Sequence, residues 1–376
     1  MDQVYILGGL RSFIGVRNSA YRHVPAEHLG AAVLRELICR CGLKDIDMVI
    51  GGNSVGGGGN ITRLMALEAG LEPSIPAFTI DLQCASSLEA IITAAARIQS
   101  GLADLIVAGG FESSSTQPLR SCHPNHPDYT GDGFYHTAKF IPGPRREDVM
   151  LRGAEDTIRR CHVTKAEMDP WVLESHRRAG MALRSRVLDP VTVPVCGLDH
   201  DEGIRPHMSQ RLLDRLPCVL KDGQYLNAAN ACTMNDGAAF VILCSEHYLK
   251  KHGLAPGYRL TEACTAGGDP LMSPASILPA IDGLLERSGY SMEEIGAIEC
   301  NEAFAVIDVL FERAYPHKTL EYNRFGGALA YGHPYGASGA VIFLHLLRSM
   351  ELGGCQRGIC CVAAAGGIGT ALLLET

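Results

Sequence analysis

The first third of the chain alternates between short apolar runs and longer segments whose apolar residues recur at helical spacing. Residues 4–7 form one such run and predict a buried strand. In residues 26–41, Leu29, Val33 and Leu37 follow the helical period, and Gly42 provides a helix end. The alternation continues with strands at 48–50, 78–82 and 105–108 and helices at 61–70 and 85–99. This order predicts a close-packed α/β protein.

The alternation stops between about residues 116 and 224, where Pro, His, Asp and Arg are enriched. It resumes with strands at 240–244, 258–263, 298 and 359–362 and helices at 278–288, from 303, and at 339–348. We therefore predict an inserted loop domain, residues 116–225, that covers a site. An N-terminal half comprises residues 1–115 and 226–247, and a C-terminal half comprises residues 248–376.

Two pairs of segments resemble each other across these halves. Residues 48–58 (MVIGGNSVGGG) and 297–306 (AIECNEAFAV) each follow an acidic segment and continue from a strand into a turn. Residues 105–110 and 361–367 each continue from an apolar strand into Ala and a double glycine. The echoes predict two βαβα halves related by a pseudo-twofold axis, with the loops of both halves around one shared site.

Composition narrows the class of partner. Apolar residues make up 47% of the 376 residues and charged residues 20%, which is enough for a large core. The net charge of −8, without a Lys/Arg cluster interleaved with aromatic residues, argues against nucleic acid as a partner. No apolar run reaches the length of a membrane helix. The opening MDQVYILGG has no leader pattern and the 14 cysteines form no CxxC pair, so we expect a cytoplasmic protein.

Three residues are candidates for chemistry from their local setting. Cys84, in DLQCASS, precedes an Ala-rich helix whose N-terminus favours a thiolate nucleophile, although a small core cysteine is the plainer interpretation. His333 lies in the glycine-dense segment 326–339 and precedes a proline, so a turn histidine is the alternative. Asn301 follows a strand, where α/β sites lie, but it would equally serve as a helix N-cap.

The order of four motifs resembles the thiolase family. They are QCASS, NEAF, GGALAYGHPYGASGA and a terminal AAAGGIGTALLLE, and GLRSFIG, VGGGGNITR, GGFES and NACTMNDGAA support them. The resemblance spans nearly the whole chain. It implies a five-layered αβαβα fold, an inserted loop domain over a coenzyme A channel, and a homodimer or homotetramer.

The resemblance also implies roles for individual residues. Cys84 would attack an acyl thioester, His333 would activate that cysteine, and Asn301 would hold a water that donates to a thioester oxygen. The oxyanion would be met by the backbone N–H groups of Cys84 and of a glycine such as Gly367. The further residues expected to line the substrate are Phe304, Ala363 and Cys232. The thioester of coenzyme A is then a substrate, no cofactor is bound permanently, and the acidic chain favours coenzyme A over an acyl carrier protein as the carrier.

The chain departs from the family pattern at one chemically important position. An ungapped alignment of residues 358–369 places Ala363 where the second catalytic cysteine belongs. Cys361 lies on the same side of the strand but about 7 Å upstream, so we do not expect it to be a replacement. The segments 149–155 and 273–277 also differ from the family's loops, which implies rebuilt walls around the acyl group.

Loss of that cysteine changes the expected reaction. In the family it removes a proton from the carbon next to the thioester, a step for which a general base contributes about 10² to 10⁴ in rate. Without it we expect decarboxylative condensation or simple acyl transfer. Thioester hydrolysis and a non-catalytic subunit that binds coenzyme A esters are the alternatives, and the presence of Cys84, Asn301 and His333 together argues against the subunit.

One segment, SCHPNHPDYTGDGFYH, concentrates side chains that bind metals. Their spacing fits no closed zinc site, so we predict no metal and interpret the segment as a covering or oligomerisation loop. The residues are Cys122, His123, His126, Asp128, Asp132 and His136.

Overall fold

The computed structural model describes residues 3–129, 131 and 133–376. Its strands are β1 Val4–Ser12, β2 Gly15–Val16, β3 Met48–Gly52, β4 Ala77–Ile80, β5 Leu105–Ser113, β6 Thr192–Val193, β7 Asn235–Ser245, β8 Arg259–Gly267, β9 Ala297–Cys300, β10 Arg357–Ala364 and β11 Ile368–Glu375. Its helices are α1 Ala26–Cys41, α2 Ile61–Glu68, α3 Ser86–Gln99, α4 Val149–Arg160, α5 Lys165–Ser185, α6 Gln210–Leu213, α7 Glu246–His252, α8 Ile277–Ser288, α9 Ala305–Ala314, α10 Ala328–Tyr331 and α11 Tyr335–Gly353.

The strands form one continuous mixed sheet that consists of two similar parts. The first part has the order β4-β3-β5-β7-β1, and the second continues with β8-β11-β10-β9. A single pairing, Tyr5 with Arg259, joins them. Strands β3, β4 and β5 run parallel, as do β9 and β10, whereas β7 and β11 run antiparallel to their neighbours.

Alternating residues of the strands face two different apolar cores, and this defines the layers. In β5, Ile106 and Ala108 contribute to a core shared with α3 and α11, whereas Leu105 and Val107 face α1 and α2. In β10, Val362 faces the α3 and α11 layer, and the opposite face of this part packs against α8 and α9. The order is therefore helices, sheet, the central pair α3 and α11, sheet, helices, as expected for five αβαβα layers.

The predicted repeat has a structural counterpart. Reading outward from the junction, β1, β7, β5 and β3 in the first part match β8, β11, β10 and β9 in the second. The two echoing sequence pairs fall on β3 with β9 and on β5 with β10. An isolated parallel bridge between Ile298 and Tyr322 stands where β4 pairs with β3 in the first part. The loops after the matching strands meet around one cavity.

Two predicted element boundaries are wrong, one at the end of β5 and one at the start of α11. The double glycine Gly109-Gly110 does not end β5 but lies inside it, because a Cβ there would come within 2.0 Å of Ala239 O and 2.2 Å of Gly336 O. The glycines allow the chain to approach closely. Helix α11 begins at Tyr335, four residues before the predicted start at Gly339.

The region between β5 and β7 contains α4, α5, α6 and the short β6. Helix α5 packs against α9 and α10. The Asp201 carboxylate accepts two hydrogen bonds from the Arg11 guanidinium, at 2.9 and 3.0 Å, and both side chains are buried. This ion pair links the region between β5 and β7 to strand β1. None of the described helices combines the length and apolar character needed to cross a bilayer.

Candidate active site

Cys84 lies where the sequence predicts it, at the N-terminal end of the central helix α3. It belongs to a short 3-10 turn, Gln83–Ala85, that leads directly into α3. Gln83 has φ +52°, a left-handed conformation that is uncommon for a residue with a side chain. Such backbone strain is found at functional sites, where the surrounding structure holds it in place. The turn presents the Cys84 thiol to a cavity between the two halves.

The Cys84 thiol is protonated in the resting structure. Burial raises its pKa to about 12, and the backbone N–H groups of Ala365 and of Cys84 itself lower the pKa by less. The expected thiolate at the helix N-terminus is therefore absent, because desolvation outweighs the favourable helix end. A base must take the proton when the thiol reacts.

The imidazole of His333 lines the same cavity as the Cys84 thiol. Its backbone N–H donates to Thr233 O and to Asn235 Oδ1, both at 3.1 Å. Its Nδ1 lies 2.5 Å from Ser338 Oγ, in the first turn of α11. Burial lowers the pKa of His333 to about 3, so the imidazole is neutral near pH 7. When Ser338 accepts from Nδ1–H, Nε2 retains its lone pair for a proton.

Asn301 lies behind the His333 ring rather than along the cavity that Cys84 faces. Its Nδ2 is 3.5 Å from both ring nitrogens, which indicates contact with the ring as a whole rather than a bond to one nitrogen. Its Oδ1 is buried without a hydrogen-bond partner among the described residues, and it borders a small second cavity beside Ser338 and His345. In this position Asn301 supports the imidazole.

The cavity in front of Cys84 has a volume of about 280 Å³ and is mainly apolar. Of the residues predicted to line the substrate, Phe304, Ala363 and Cys232 line this cavity. The two loops that depart from the family pattern also form its walls. The apolar lining includes Val55, Phe140, Met150, Leu151, Pro274 and Ile307. Such a pocket suits an acyl chain and the adjoining arm of its carrier.

Gly367 does not lie where its expected role requires. Its N–H donates to Ser273 Oγ at 3.1 Å, and Gly367 is not among the residues that line the cavity. The N–H close to the Cys84 sulfur belongs to Ala365. Strand alternation from Ala363 would have identified it, because residues two apart face the same side.

Tyr335 is a site residue that the sequence analysis did not identify. Its ring meets the His333 ring edge to face at 5.1 Å, and it lines the cavity. Burial raises the pKa of its phenol, and the charges of Cys232 and Cys84 add to this. The phenol is therefore a neutral donor. Its only sequence signal was its place directly after the GHP motif.

A buried carboxyl group, Glu112 of β5, connects the loops of the site. Its oxygens accept hydrogen bonds from the backbone N–H of Ser54 at 2.8 Å and of Gly336 at 3.1 Å. They also accept from Asn53 Nδ2 at 2.9 Å. Burial raises the pKa of Glu112 to about 7, although the backbone N–H groups of Ser54 and Gly336 oppose the shift. Glu112 thereby ties the start of α11 to a wall of the cavity.

The segment with metal-binding residue types lines a second, more polar pocket that adjoins the first. Cys122 Sγ accepts from Arg145 Nη1 at 3.2 Å, and the ring Nδ1 atoms of His123 and His126 accept from backbone N–H groups two residues on. Asp132 lies outside the described residues. Within the described part of the chain, no group of three His, Cys, Asp or Glu side chains could hold a metal ion.

Comparisons with known proteins agree with this geometry. The family profile described as "Thiolase, N-terminal domain" matches residues 4–247, and "Thiolase, C-terminal domain" matches residues 254–376. VraB of Staphylococcus haemolyticus is 32% identical over 383 residues, which cover 100% of this chain and 99% of VraB.

Solved structures give the same result. The Bacillus anthracis acetyl-CoA acetyltransferase is 30% identical with a TM-score of 0.90, over 100% of this chain and 99% of that one. Human mitochondrial 3-ketoacyl-CoA thiolase, in complex with CoA, is 26% identical with a TM-score of 0.92, over 100% of this chain and 98% of that one. The chain therefore belongs to the thiolase family.

Proposed function

We propose that this protein is an acyltransferase that takes an acyl group from an acyl-CoA thioester and carries it on Cys84. The observation that carries the proposal is the shared cavity of Cys84 and His333, beside the backbone N–H groups of Ala365 and Cys84. A buried thiol, a neutral base and two donors are the groups that thioester attack requires. The relation to an acetyl-CoA acetyltransferase and to a thiolase that binds CoA supports coenzyme A as the carrier.

In the first stage the Cys84 thiol gives its proton to His333 as the sulfur attacks the thioester carbonyl. The oxyanion accepts hydrogen bonds from the Ala365 and Cys84 N–H groups, whose effect is strengthened by the mainly apolar lining of the cavity. Collapse of this intermediate expels the coenzyme A thiolate. The acyl group then remains on Cys84 as a new thioester.

In the second stage an acceptor removes the acyl group from Cys84. Ala363 supplies no thiol where the family has its second cysteine, and this favours an acceptor that forms its carbanion by loss of CO₂. A malonyl-type thioester meets that need. Condensation with such an acceptor, or transfer to a simple nucleophile, is the second half of the proposed reaction.

Intact-mass spectrometry tests the proposal. The protein is incubated with acetyl-CoA and with longer acyl-CoAs, alone and with malonyl-CoA, alongside Cys84→Ala. We expect an acyl adduct that requires Cys84 and disappears when an acceptor is added. Release of free acid without an acceptor would instead identify a hydrolase. Absence of an adduct with every donor would favour a non-catalytic subunit that binds coenzyme A esters.

We also propose that the chain forms a homodimer or homotetramer. Strand β4 pairs only with β3 among the described strands, so its second edge is available to a partner strand. Light scattering during size-exclusion chromatography measures the mass in solution. A monomer at micromolar concentration would contradict this proposal.

A further inference from the structure

A second cysteine, Cys232, faces the same cavity as Cys84 although it lies far from it in the sequence. Both thiols line the cavity, together with Ala363. Burial raises the pKa of Cys232, and the charge of Cys84 adds to this, so the two sulfurs are electrostatic neighbours. Ala363, which stands where the family has its second cysteine, and the thiol of Cys232 therefore line the same cavity.

The backbone around Cys232 is held between the two other catalytic loops. The Cys232 N–H donates to Ala303 O at 2.9 Å, and the Ala305 N–H donates to Asn230 O at 2.9 Å. On the other side, the His333 N–H donates to Thr233 O at 3.1 Å. These bonds fix the Cys232 backbone between the NEAF turn and the GHP turn. Such preorganisation is what a group that exchanges protons with a substrate requires.

The other ionisable side chains that line the described cavity are poorly suited to accept a proton from carbon. His136 and Glu147 are exposed at the rim, where the Glu147 carboxylate accepts from the His136 N–H at 3.2 Å. Tyr335 is a phenol, an intrinsically weaker acid than a thiol, so it is a poorer proton donor to the expelled coenzyme A thiolate. His333 holds the proton of the nucleophile after attack. Among these side chains, the Cys232 thiol is therefore the one left to exchange a proton with the acceptor carbon.

We propose that Cys232 is a second catalytic residue, a general acid and base that acts on the carbon next to the thioester carbonyl of an acceptor acyl-CoA. The proposal rests on the acyl-Cys84 intermediate described above. It widens the acceptor class beyond the malonyl-type thioester proposed above, to any acyl-CoA with a hydrogen on that carbon.

The proton inventory balances over one cycle. After His333 takes the Cys84 proton and the sulfur attacks, the Cys232 thiol protonates the expelled coenzyme A thiolate, which leaves as the free thiol. The resulting Cys232 thiolate removes the proton from the acceptor carbon. The carbanion attacks the acyl-Cys84 carbonyl, a carbon–carbon bond forms, the C–S bond breaks, and the protonated His333 returns its proton to Cys84.

Hydrogen exchange at carbon isolates this step from the rest of the reaction. The full-length protein is incubated with acetyl-CoA in D₂O, and deuterium in the acetyl group is followed by mass spectrometry, while intact mass reports the Cys84 adduct. Cys232→Ser keeps the size of the side chain but replaces the thiol with a far weaker acid. Cys161→Ser is the matched control, because Cys161 is partly buried outside the cavity.

We expect Cys232→Ser to slow deuterium incorporation by about 10² to 10⁴, while the Cys84 adduct still forms because a thiolate leaves without help. Cys161→Ser should exchange at the wild-type rate. Equal exchange in wild type and Cys232→Ser would overturn the role of Cys232. An adduct without any exchange in wild type would also overturn it and leave the acyl-enzyme proposal standing. Absence of the adduct itself would remove both.

Discussion

At the scale of single residues, the central feature is a neutral thiol and a neutral imidazole in one mainly apolar cavity. Burial raises the pKa of Cys84 to about 12 and lowers that of His333 to about 3. No proton therefore passes between them before a thioester arrives. In the proposed reaction, attack and proton transfer are coupled because the two N–H donors stabilise the oxyanion as it develops. The resting thiol is correspondingly protected from reagents that need a thiolate.

Ser338 orients the base, and its loss should slow acylation. In Ser338→Ala the His333 Nδ1 loses its partner at 2.5 Å, and a net hydrogen bond of about 1 to 1.5 kcal/mol corresponds to about tenfold in rate. Rapid-quench mass spectrometry of the Cys84 adduct measures it. Ser349→Ala is the control, because the Ser349 hydroxyl is buried in the same helix without a partner among the described residues. Equal slowing in both variants would contradict an orienting role.

Glu112 should make stability depend on pH. Its folded pKa of about 7 exceeds the ordinary value of 4.5, so the folded protein binds the proton more tightly. Its contribution is present below pH 4.5 and is lost as pH rises to about 7, by about 3 kcal/mol in total. Glu112→Gln cannot ionise, so it should lack this loss. Urea denaturation of both proteins across that interval measures the difference, and parallel curves would argue against it.

At the scale of elements, the site depends on how closely α3 and α11 approach. A Cβ on Gly339 would lie 2.6 Å from Leu88 N and 2.7 Å from Leu88 Cβ. The Ala340 N–H donates to Ser87 Oγ at 3.0 Å across the same contact. Cys84 lies in the turn that leads into α3, and α11 begins two residues after His333, so the separation of the helices sets the geometry of the pair.

Gly339→Ala should separate these helices and weaken both stability and acylation. Overpacking of this kind costs about 1 to 3 kcal/mol. Chemical denaturation and the rate of Cys84 adduct formation measure the two effects. Gly57→Ala provides the comparison, since Gly57 is exposed and an added Cβ there meets nothing within 4 Å. A variant as stable and as fast as wild type would show that the helices adjust freely.

Local motifs predicted much of this arrangement, and long-range contacts account for what they missed. Helix α1 begins and ends where the spacing of Leu29, Val33 and Leu37 places it, because one amphipathic face decides it. The strand end at Gly109 was misread, because the reason for that glycine is Ala239 on another strand. The cavity position of Ala365 and the proximity of Cys232 to Cys84 likewise follow from how the halves pack, which no local pattern records.

At the scale of the whole molecule, the buried Arg11–Asp201 pair links β1 to the region between β5 and β7. Asp201→Asn leaves the Arg11 guanidinium buried without its charge partner, which costs about 3 to 5 kcal/mol. The midpoint of urea denaturation should fall accordingly. Asp199→Asn, whose carboxylate is largely exposed beside His200, should change stability by less than about 0.5 kcal/mol. Similar midpoints for both variants would mean that the pair does not stabilise the fold.

The pairing of β1 with β7 can form only late during synthesis of the chain on the ribosome. Strand β1 ends at Ser12 and its partner begins only at Asn235, and β5 needs the same partner. A ribosome that adds about 5 to 20 residues per second takes about 10 to 50 s to supply β7 after β1. Throughout that interval the apolar faces of β1 and β5 lack their shared neighbour. The nascent chain therefore exposes these apolar faces until about two thirds of it has been made.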